Sequence, residues 1–394
     1  MMNLIPEILS FADEITALRR DIHAHPEIGF QEHRTADLVA SYLERYGIEI
    51  HRNIGGTGVV GVLRGKGNGR NIGLRADMDA LPMQEATGLA YASCHSGAFH
   101  GCGHDGHTAM LLGAARYLAG SPKLEGDVIF IFQPAEEGLG GAARMIADGL
   151  FTRFPCDEIY ALHNWPGAPL GRVSLTKGVA MAAADTFDIE IEGRGAHGAQ
   201  PHLAVDSVMV ATSIAQALQT IISRNVDPLK SAIVSVTQIH AGSAYNVIPE
   251  TAFLGGTIRC FDDNVRQLIA ERITSLATRI AEGFGAAATV RITPRFSVLC
   301  NAPTQSEAAM KVAQDVVGAG LIAYDSEPKS GSEDFAEMLA LVPGAYLILG
   351  QGEGPFLHNP AYDFNDAVAP IGASLLARIA QERSGLSHLK LAAE

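Results

Sequence analysis

The sequence predicts an α/β fold: a mostly parallel sheet with helices on both faces, and an inserted ferredoxin-like α+β domain. Strand-like and helix-like segments alternate in the first part of the chain and again near its end, which is typical of a helix-covered parallel sheet. Between them the order of elements becomes β-α-β-β-α-β, the ferredoxin-like unit. The length of 394 residues exceeds the size of one hydrophobic core. We therefore predict one domain built from residues 1–184 and 298–394, and a second, 185–297, inserted into it.

The predicted strands of the first domain end next to residues that carry chemistry. Asn71–Asp77, Asp127–Gln133 and Glu158–His163 are short apolar segments that each run into acidic residues or histidine. Gly344–Gly350 is a further apolar strand, and His358 follows it. In open α/β sheets ligands bind beyond the carboxyl ends of the strands. We expect a functional site at that edge, in a cleft beside the inserted domain.

The inserted domain is predicted from consecutive segments with strand or helix periodicity. They are, in chain order, strand Phe187–Glu192, helix Asp206–Arg224, strands Ala232–His240 and Thr251–Cys260, helix Val265–Phe284 and strand Ala288–Phe296. This order makes a compact domain of its own.

Composition favours a globular protein that binds neither nucleic acid nor a membrane. Hydrophobic residues make up 47% of the chain and charged residues 18%, which is ordinary for globular proteins. The formal net charge is -14, and no basic run could follow a phosphate backbone. The acidic residues of the first helix-like segment argue against a signal peptide, and no apolar stretch is long enough for a membrane span. Five scattered cysteines favour reduced thiols. We expect a cytoplasmic location.

The segment Gly101–Thr108 is the densest group of chemically active side chains, and we expect it to be a loop that opens an apolar helix from about Thr108 to Leu118. Its glycines allow sharp turns, so that Cys102 and His104 can converge on one point. Thiolate and imidazole both bind zinc, and imidazole also binds manganese, cobalt and nickel. A single Cys-x-His pair is weak evidence, and a helix N-terminus with incidental polar residues is the alternative.

Two adjacent carboxylates, Glu136 and Glu137, follow the second of these strands. One of them could bind a metal ion while the other accepts a proton from water. A solvated loop is the alternative interpretation. His163 and His358 are further candidate ligands, because neighbouring strand ends would deliver them to the same crevice. Such a ligand set with one additional carboxylate suits two adjacent metal ions.

The sequence does not support dinucleotide binding or serine hydrolase activity. Gly56–Gly61 matches the dinucleotide-binding pattern G-x-G-x-x-G, but an extended segment follows it instead of the helix that pattern requires. No G-x-S-x-G motif is present, so a serine hydrolase is not supported.

Motifs of one family extend over nearly the whole chain. They are Leu18–His23, His25–Glu27, Arg75–Pro82, Gly101–His107, Gln133–Gly138, His163–Gly167, Gly195–His197, Asn246–Pro249, Ser332–Phe335 and His358–Pro360. The sequence resembles the M20-type metallopeptidases, which include aminoacylases, carboxypeptidases and dipeptidases. It is most similar to the branch with hippurate hydrolases, indole-acetyl-amino-acid hydrolases and N-acetyl-diaminopimelate deacetylases.

The resemblance implies a metal-dependent amidohydrolase that cleaves N-acyl amino acids, such as hippurate, to a carboxylic acid and an amino acid. It implies two divalent metal ions, zinc, manganese, cobalt or nickel, and a general base, Glu136, that later donates its proton. The ligands that it implies are Cys102, His104, Glu137, His163 and His358.

Further roles follow from the same resemblance. Relatives outside this branch have His-x-Asp where this chain has Asp77-Met78-Asp79; we interpret both aspartates as supports for the ligands, with direct ligation by one of them as the alternative. His197 is similar to a family residue that reaches into the site, often from the neighbouring subunit. Asn246 and Arg259 are candidates for holding the substrate, since a guanidinium binds a carboxylate through two parallel hydrogen bonds. An ion pair between Arg259 and a nearby acid is the alternative.

Three functions remain open from the sequence. The first is hydrolysis of N-acyl amino acids, and the second is a dipeptidase or N-acetyl-amino-acid deacetylase with the same metal core. The third is a catalytically silent small-molecule binder, which would not need a second carboxylate beside a complete ligand set. We also expect a homodimer formed through an edge strand or helix of the inserted domain.

Overall fold

The computed structural model describes residues 2–121, 124–325 and 327–385. Its α-helices are α1 Pro6–Ser10, α2 Ala12–Ala24, α3 His33–Arg45, α4 His104–Ala119, α5 Gly141–Ala147, α6 Leu150–Arg153, α7 Ser207–Leu218, α8 Thr220–Asn225, α9 Asp263–Gly283, α10 Pro303–Val317, α11 Phe335–Leu339 and α12 Ala369–Ser384. Short 3₁₀ turns occupy Pro201–Leu203, Ala319–Leu321 and Asp366–Val368. In the described part of the chain no helix is both long and apolar enough to span a membrane.

The strands are β1 Glu49–Ile54, β2 Gly58–Leu63, β3 Ile72–Asp77, β4 Val128–Gln133, β5 Glu158–Trp165, β6 Val173–Thr176, β7 Gly178–Met181, β8 Ala183–Glu192, β9 Ala196–His197, β10 Ala232–Ala241, β11 Val247–Ile248, β12 Thr251–Cys260, β13 Ala287–Phe296, β14 Leu299–Asn301, β15 Ile322–Asp325 and β16 Gly344–Gly350. Strand β2 covers the end of the Gly56–Gly61 pattern and the two residues after it, so the helix that a dinucleotide site requires does not follow.

The chain divides into two compact units. The first comprises Met1–Ala180, Cys300–Glu327 and Asp334–Glu394, and the second comprises Met181–Leu299 and Pro328–Glu333. The boundaries that we derived from the sequence stay a prediction of domain architecture. Residues 386–394 of the predicted last segment lie outside the described residues.

The first unit contains an eight-stranded sheet in the order β1-β2-β4-β3-β5-β16-β6-β15. Its centre, β4-β3-β5-β16, is parallel, whereas β1 and β2 are added antiparallel at one side. Every residue of β3, β4 and β16 is buried. Strands buried on both faces are typical of parallel sheets covered by helices, and the predicted fold class is confirmed.

The second unit contains a four-stranded antiparallel sheet in the order β10-β12-β8-β13. Asp206 and Asp262 begin its helices, because each carboxylate accepts backbone N–H groups of the first turn. The helix predicted from Asp206 to Arg224 is divided into α7 and α8, since the N–H of Gln219 bonds to the carbonyl of Gln216 and tightens the turn there. The small ribbon β9–β11 is an addition that the sequence did not predict.

Candidate metal centre

The four central strands of the large sheet bring the predicted site residues of the first unit to one edge. Because β3, β4, β5 and β16 are parallel, their carboxyl ends coincide. Asp77 ends β3, and His163 lies near the end of β5. Glu136 and Glu137 follow β4 directly, and His358 follows β16. The expectation that these strand ends share one edge is confirmed.

Helix α4 begins earlier than the sequence suggested. We expected a loop up to His107 and a helix from about Thr108, but the first helical residue is His104. The preceding Gly103 has φ 90°, and a Cβ at this position would lie 2.4 Å from Oδ1 of Asn164, so glycine is required. The hydroxyl of Thr108 donates to the carbonyl of Asp77 over 2.9 Å and ties the first turn to β3. Tertiary contacts therefore start the helix, despite its glycine-rich sequence.

The ring of His104 is held so that Nε2 points to the candidate metal centre. Its Nδ1 donates to the backbone carbonyl of Asp79 over 2.9 Å and lies 3.2 Å from the Asp79 carboxylate. Nε2 is buried and has no hydrogen-bond partner in the described residues. Buried polar atoms are normally paired. A metal ion would satisfy this nitrogen.

Cys102 and His358 approach the same point from two loops, and His163 approaches it from the end of β5. Sγ of Cys102 lies 3.5 Å from Nε2 of His163, whose Nδ1 donates to the carbonyl of Asn164 over 2.7 Å. His358 has φ 63°, a left-handed conformation that is uncommon outside glycine. Its backbone N–H donates to the carbonyl of Gly101 over 2.8 Å, which fixes it beside the cysteine loop.

Glu137 and Glu136 complete the group. Oε1 of Glu137 is buried, accepts no hydrogen bond within the described ranges, and lies 3.3 Å from Nε2 of His358 and 4.0 Å from Nε2 of His104. The backbone N–H of Glu137 donates to Oδ2 of Asp79 over 3.0 Å. Glu136 is 7% exposed.

These side chains form overlapping sets whose ligand atoms all lie within 4.8 Å of one another. The sets are Cys102–His104–His163, Cys102–Glu137–His358 and His104–Glu136–Glu137. The structure thus brings together all five predicted ligands and the predicted base. A thiol, three imidazoles and a carboxylate fit a divalent ion of the zinc, cobalt, nickel or manganese type, and overlapping sets fit two adjacent ions.

Several of these groups hold protons in the absence of metal. Burial raises the pKa of Cys102. Burial lowers the pKa of His104, but the charge of Asp77 together with the interactions of Cys102 and Asp79 more than offsets this effect, and the pKa lies well above its usual value. Hydrogen bonding to Cys102 raises the pKa of His358 to about 10. By contrast, burial keeps the pKa of His163 well below its usual value. Since metal ligands must be deprotonated, ion binding here releases protons.

Asp79 hydrogen-bonds to two candidate ligands, His104 and Glu137, whereas Asp77 bonds to residues beside them. Oδ1 of Asp77 accepts from Nδ1 of His107 over 2.6 Å, and Oδ2 accepts from Arg75 over 2.7 Å. Asp79 contacts the ring of His104 and the backbone of the segment after β4. Both oxygens of each aspartate are thus engaged, which is the arrangement expected of residues that orient metal ligands.

Sequence reasoning missed His107 and Asn164. Nε2 of His107 lies 2.8 Å from Oδ1 of Asn164, and Nδ2 of Asn164 donates to the hydroxyl of Tyr362 over 2.7 Å. His107 therefore links Asp77 to the end of β5, which carries His163. The spacing of His104 and His107, three residues apart on one helix face, was a usable indication, but only with the helix beginning at His104.

A third missed residue is Asp334. Its Oδ1 accepts from Nε2 of Gln133 over 2.7 Å and from Arg75 over 3.2 Å, and its Oδ2 accepts the N–H of Ala142 over 2.9 Å. All of these groups are buried. Asp334 thereby ties the ends of β3 and β4 together, and through Arg75 it supports Asp77.

His197, Asn246 and Arg259 lie in the second unit. His197 pairs with Val247 in the β9–β11 ribbon, and the carbonyl of Asn246 accepts the N–H of Gly198 over 2.7 Å, so His197 and Asn246 are neighbours. Arg259 lies on β12 and donates to the hydroxyl of Thr257 and to the carbonyl of Ile258. In the described residues Arg259 makes no ion pair with an acid, and burial lowers its pKa. The roles of these three residues stay predictions.

Comparison with known proteins gives a consistent result. The model of "Peptidase family M20/M25/M40" matches residues 73–382. The chain is 42% identical to hippurate hydrolase of Campylobacter jejuni, over 96% of this chain and 99% of the relative. It is 41% identical to N-acetyl-L-cysteine deacetylase of Bacillus subtilis, over 92% and 86%. The crystal structure of the Bacillus subtilis YXEP protein, described as a dinuclear metal-binding peptidase of the M20 family, is similar with a TM-score of 0.82 and 34% identity, covering 95% of this chain and 98% of that one.

Proposed function

The chain belongs to peptidase family M20/M25/M40 and is a metal-dependent hydrolase of amide bonds, and we propose that it cleaves N-acyl amino acids to a carboxylic acid and an amino acid. The observation that carries the proposal is the buried Glu136 beside five candidate ligands at one sheet edge. The names of two relatives support the substrate class, because hippurate and N-acetyl-L-cysteine are both N-acyl amino acids.

In this proposal two divalent ions, of zinc, manganese, cobalt or nickel, are held by Cys102, His104, Glu137, His163 and His358. When bound, such ions would lower the pKa of the attacking water and polarise the substrate carbonyl. This assignment is supported by two buried atoms, Nε2 of His104 and Oε1 of Glu137, that have no hydrogen-bond partner among the residues that the structure describes.

Glu136 performs both proton transfers in the proposed reaction. Its carboxylate accepts a proton from the attacking water, and the resulting hydroxide adds to the amide carbonyl. The same carboxyl then donates the proton to the leaving amine nitrogen, so that the C–N bond breaks and a neutral amine departs. Burial of Glu136 excludes competing solvent from this transfer.

His197 would stabilise the negative charge that develops on the carbonyl oxygen, a contribution typically worth about a hundred- to a thousandfold in rate. Its Nδ1 accepts the N–H of Ala199 over 3.0 Å, which leaves Nε2–H as the donor. Asn246 and Arg259 would hold the substrate carboxylate. Mixing inactive His197→Ala and Glu136→Gln chains tests whether His197 acts in its own subunit or in a partner's site. Activity in the mixture indicates action across a homodimer formed through the inserted domain.

The proposal is tested with a panel of N-acyl amino acids that includes benzoyl, acetyl and indole-acetyl derivatives, together with dipeptides. Protein stripped with chelator is refilled with zinc, manganese, cobalt or nickel. We expect activity to return with metal, and Glu136→Gln to lower kcat by roughly a hundred- to ten-thousandfold. Glu44→Gln on the exposed side of α3 is the matched control. The proposal fails if the refilled protein binds two ions yet cleaves no N-acyl amino acid.

A further inference from the structure

The turn that carries the candidate base contains a strained residue. Ala135, between β4 and Glu136, has φ 55°, a left-handed conformation that costs a non-glycine residue roughly 1 kcal/mol or more. Such a conformation persists only where surrounding groups hold it. The groups that hold Ala135 therefore also set the position of the two glutamates that follow it.

The carboxylate of Glu32 holds the backbone of Ala135. Oε1 of Glu32 accepts the N–H of Ala135 over 2.8 Å, and its other oxygen accepts the hydroxyl of Thr57. On the other side of the residue, the N–H of Gly141 donates to the carbonyl of Ala135 over 3.0 Å. The backbone N–H and carbonyl of Ala135 are thus both hydrogen-bonded, the N–H by a side chain distant in sequence.

Burial of the Glu32 carboxyl is energetically unfavourable. Its side chain is fully buried, and in the described part of the chain it has no ion pair with a cation. Burial and the nearby charge of Asp79 raise its pKa. Capping of α3 does not explain it, since the Glu32 side chain makes no capping hydrogen bond there. An isolated buried carboxyl costs several kcal/mol unless hydrogen bonds compensate, so its retention points to the hydrogen bond that it makes with the distant backbone N–H of Ala135.

The loop around Glu32 is shaped to reach this turn. A Cβ on Gly29 would lie 2.9 Å from Cα of Ala135, so only glycine permits the close approach of the two segments. Thr57 belongs to the Gly56–Gly61 segment whose sequence pattern resembled a dinucleotide site. Its function in the fold is to donate a hydrogen bond to Glu32.

We propose that Glu32 is a positioning residue for Glu136 and Glu137: through the N–H of Ala135 it fixes the turn from which one carboxylate transfers protons and the other binds metal. The proposal rests on the roles of these two glutamates in the proposed function. Glu32 touches neither substrate nor metal and acts only through the turn. A displacement of about 1 Å in a catalytic group can cost roughly a hundredfold in rate.

The first test compares Glu32→Ala with Glu32→Gln. We expect Glu32→Ala to lower kcat about ten- to a hundredfold while KM changes less than about threefold, because the binding surface for substrate is unchanged. Glutamine keeps an oxygen for Ala135 and an amide that can donate to Thr57, so Glu32→Gln should recover most of kcat. Glu27→Ala is the matched control, because Glu27 lies in the same loop but accepts from Arg34 and Thr35 at the start of α3.

A second readout does not depend on catalysis. Co²⁺ titration of the metal-free protein, followed by visible absorption, should show weaker binding of one of two equivalents in Glu32→Ala, because Glu137 moves with the turn. Thr57→Val removes the hydroxyl and should shift kcat and the Co²⁺ spectrum in the same direction, whereas Thr57→Ser should match the parent. This pair keeps the test decisive if Glu32→Ala does not fold.

The proposal is overturned if Glu32→Ala retains the kcat and the Co²⁺ spectrum of the parent, if Glu27→Ala changes them equally, or if Thr57→Val behaves like Thr57→Ser. If the parent itself cleaves no N-acyl amino acid, the proposed function fails instead, and the Co²⁺ titrations alone decide whether Glu32 positions the turn.

Discussion

Asp79→Asn should weaken metal binding although it leaves all five candidate ligand side chains in place. The two oxygens of Asp79 serve two donors, Nδ1 of His104 at 3.2 Å and the N–H of Glu137 at 3.0 Å. Asparagine has only one acceptor oxygen, so one of these donors meets an NH₂ group. Loss of a hydrogen bond to a charged group costs about 1.5–3 kcal/mol. At about 1.4 kcal/mol per factor of ten, we expect metal affinity to fall roughly ten- to a hundredfold, the usual effect of residues that orient ligands.

The assay is a competition between the protein and a chelating dye for Zn²⁺ or Co²⁺, which yields the dissociation constant directly. The control is Asp127→Asn at the opposite end of β4, where the carboxylate likewise accepts from one side chain, Arg64 at 2.7 Å, and one backbone N–H, Gly65 at 2.9 Å. Equal affinities in Asp79→Asn, Asp127→Asn and the parent would refute the reasoning that Asp79 orients two ligands.

Three further predictions concern stability. Metal at a hundred times its Kd should add about 2.7 kcal/mol to the free energy of unfolding of chelator-treated protein and so raise its Tm. An unchanged Tm in calorimetry would argue against a preformed site. Gly103→Ala should destabilise the protein more than Gly47→Ala, because both have positive φ but only the first places a Cβ 2.4 Å from Asn164; equal losses in urea unfolding would contradict the clash. Burial lowers the pKa of His23, but the charge of Asp105 and the hydrogen bonds to Asp105 and Glu85 together raise it to about 9, so the stabilisation is complete below pH 6.5 and is lost as pH rises through 9. The free energy of unfolding should fall by up to about 3 kcal/mol across that range, and His23→Gln should remove this slope; identical slopes in both proteins would be the contrary result.

The positions of the candidate ligands could be predicted from the sequence because they follow a general rule of parallel sheets. Short apolar strands are recognisable, and their carboxyl ends share one edge, so a histidine or carboxylate directly after each strand belongs to one crevice. Asp77, Glu137 and His163 all obey this rule. His358 was harder, because several loop residues separate it from β16 and it adopts a left-handed conformation there.

The supporting residues could not be predicted, because tertiary contacts determine them. His107 was missed because its glycine-rich surroundings suggested a loop, whereas contacts with β3 and Asn164 begin the helix at His104. Nothing local distinguishes Ala135, whose positive φ depends on Glu32 far away in the sequence. Asp334 is likewise recognised only when the last part of the chain meets the ends of β3 and β4.

The position of β16 has a consequence for biosynthesis. This strand lies between β5 and β6 in the sheet, yet the whole segment Met181–Leu299 of the second unit is translated before it. While the ribosome makes that segment, β5 and β6 keep unpaired edges, which are the features that recruit chaperones or promote aggregation. His358 emerges later still, so the candidate metal centre lacks this side chain until the chain has passed β16. A truncated product that stops before Gly344 therefore lacks both the closing strand and one candidate ligand.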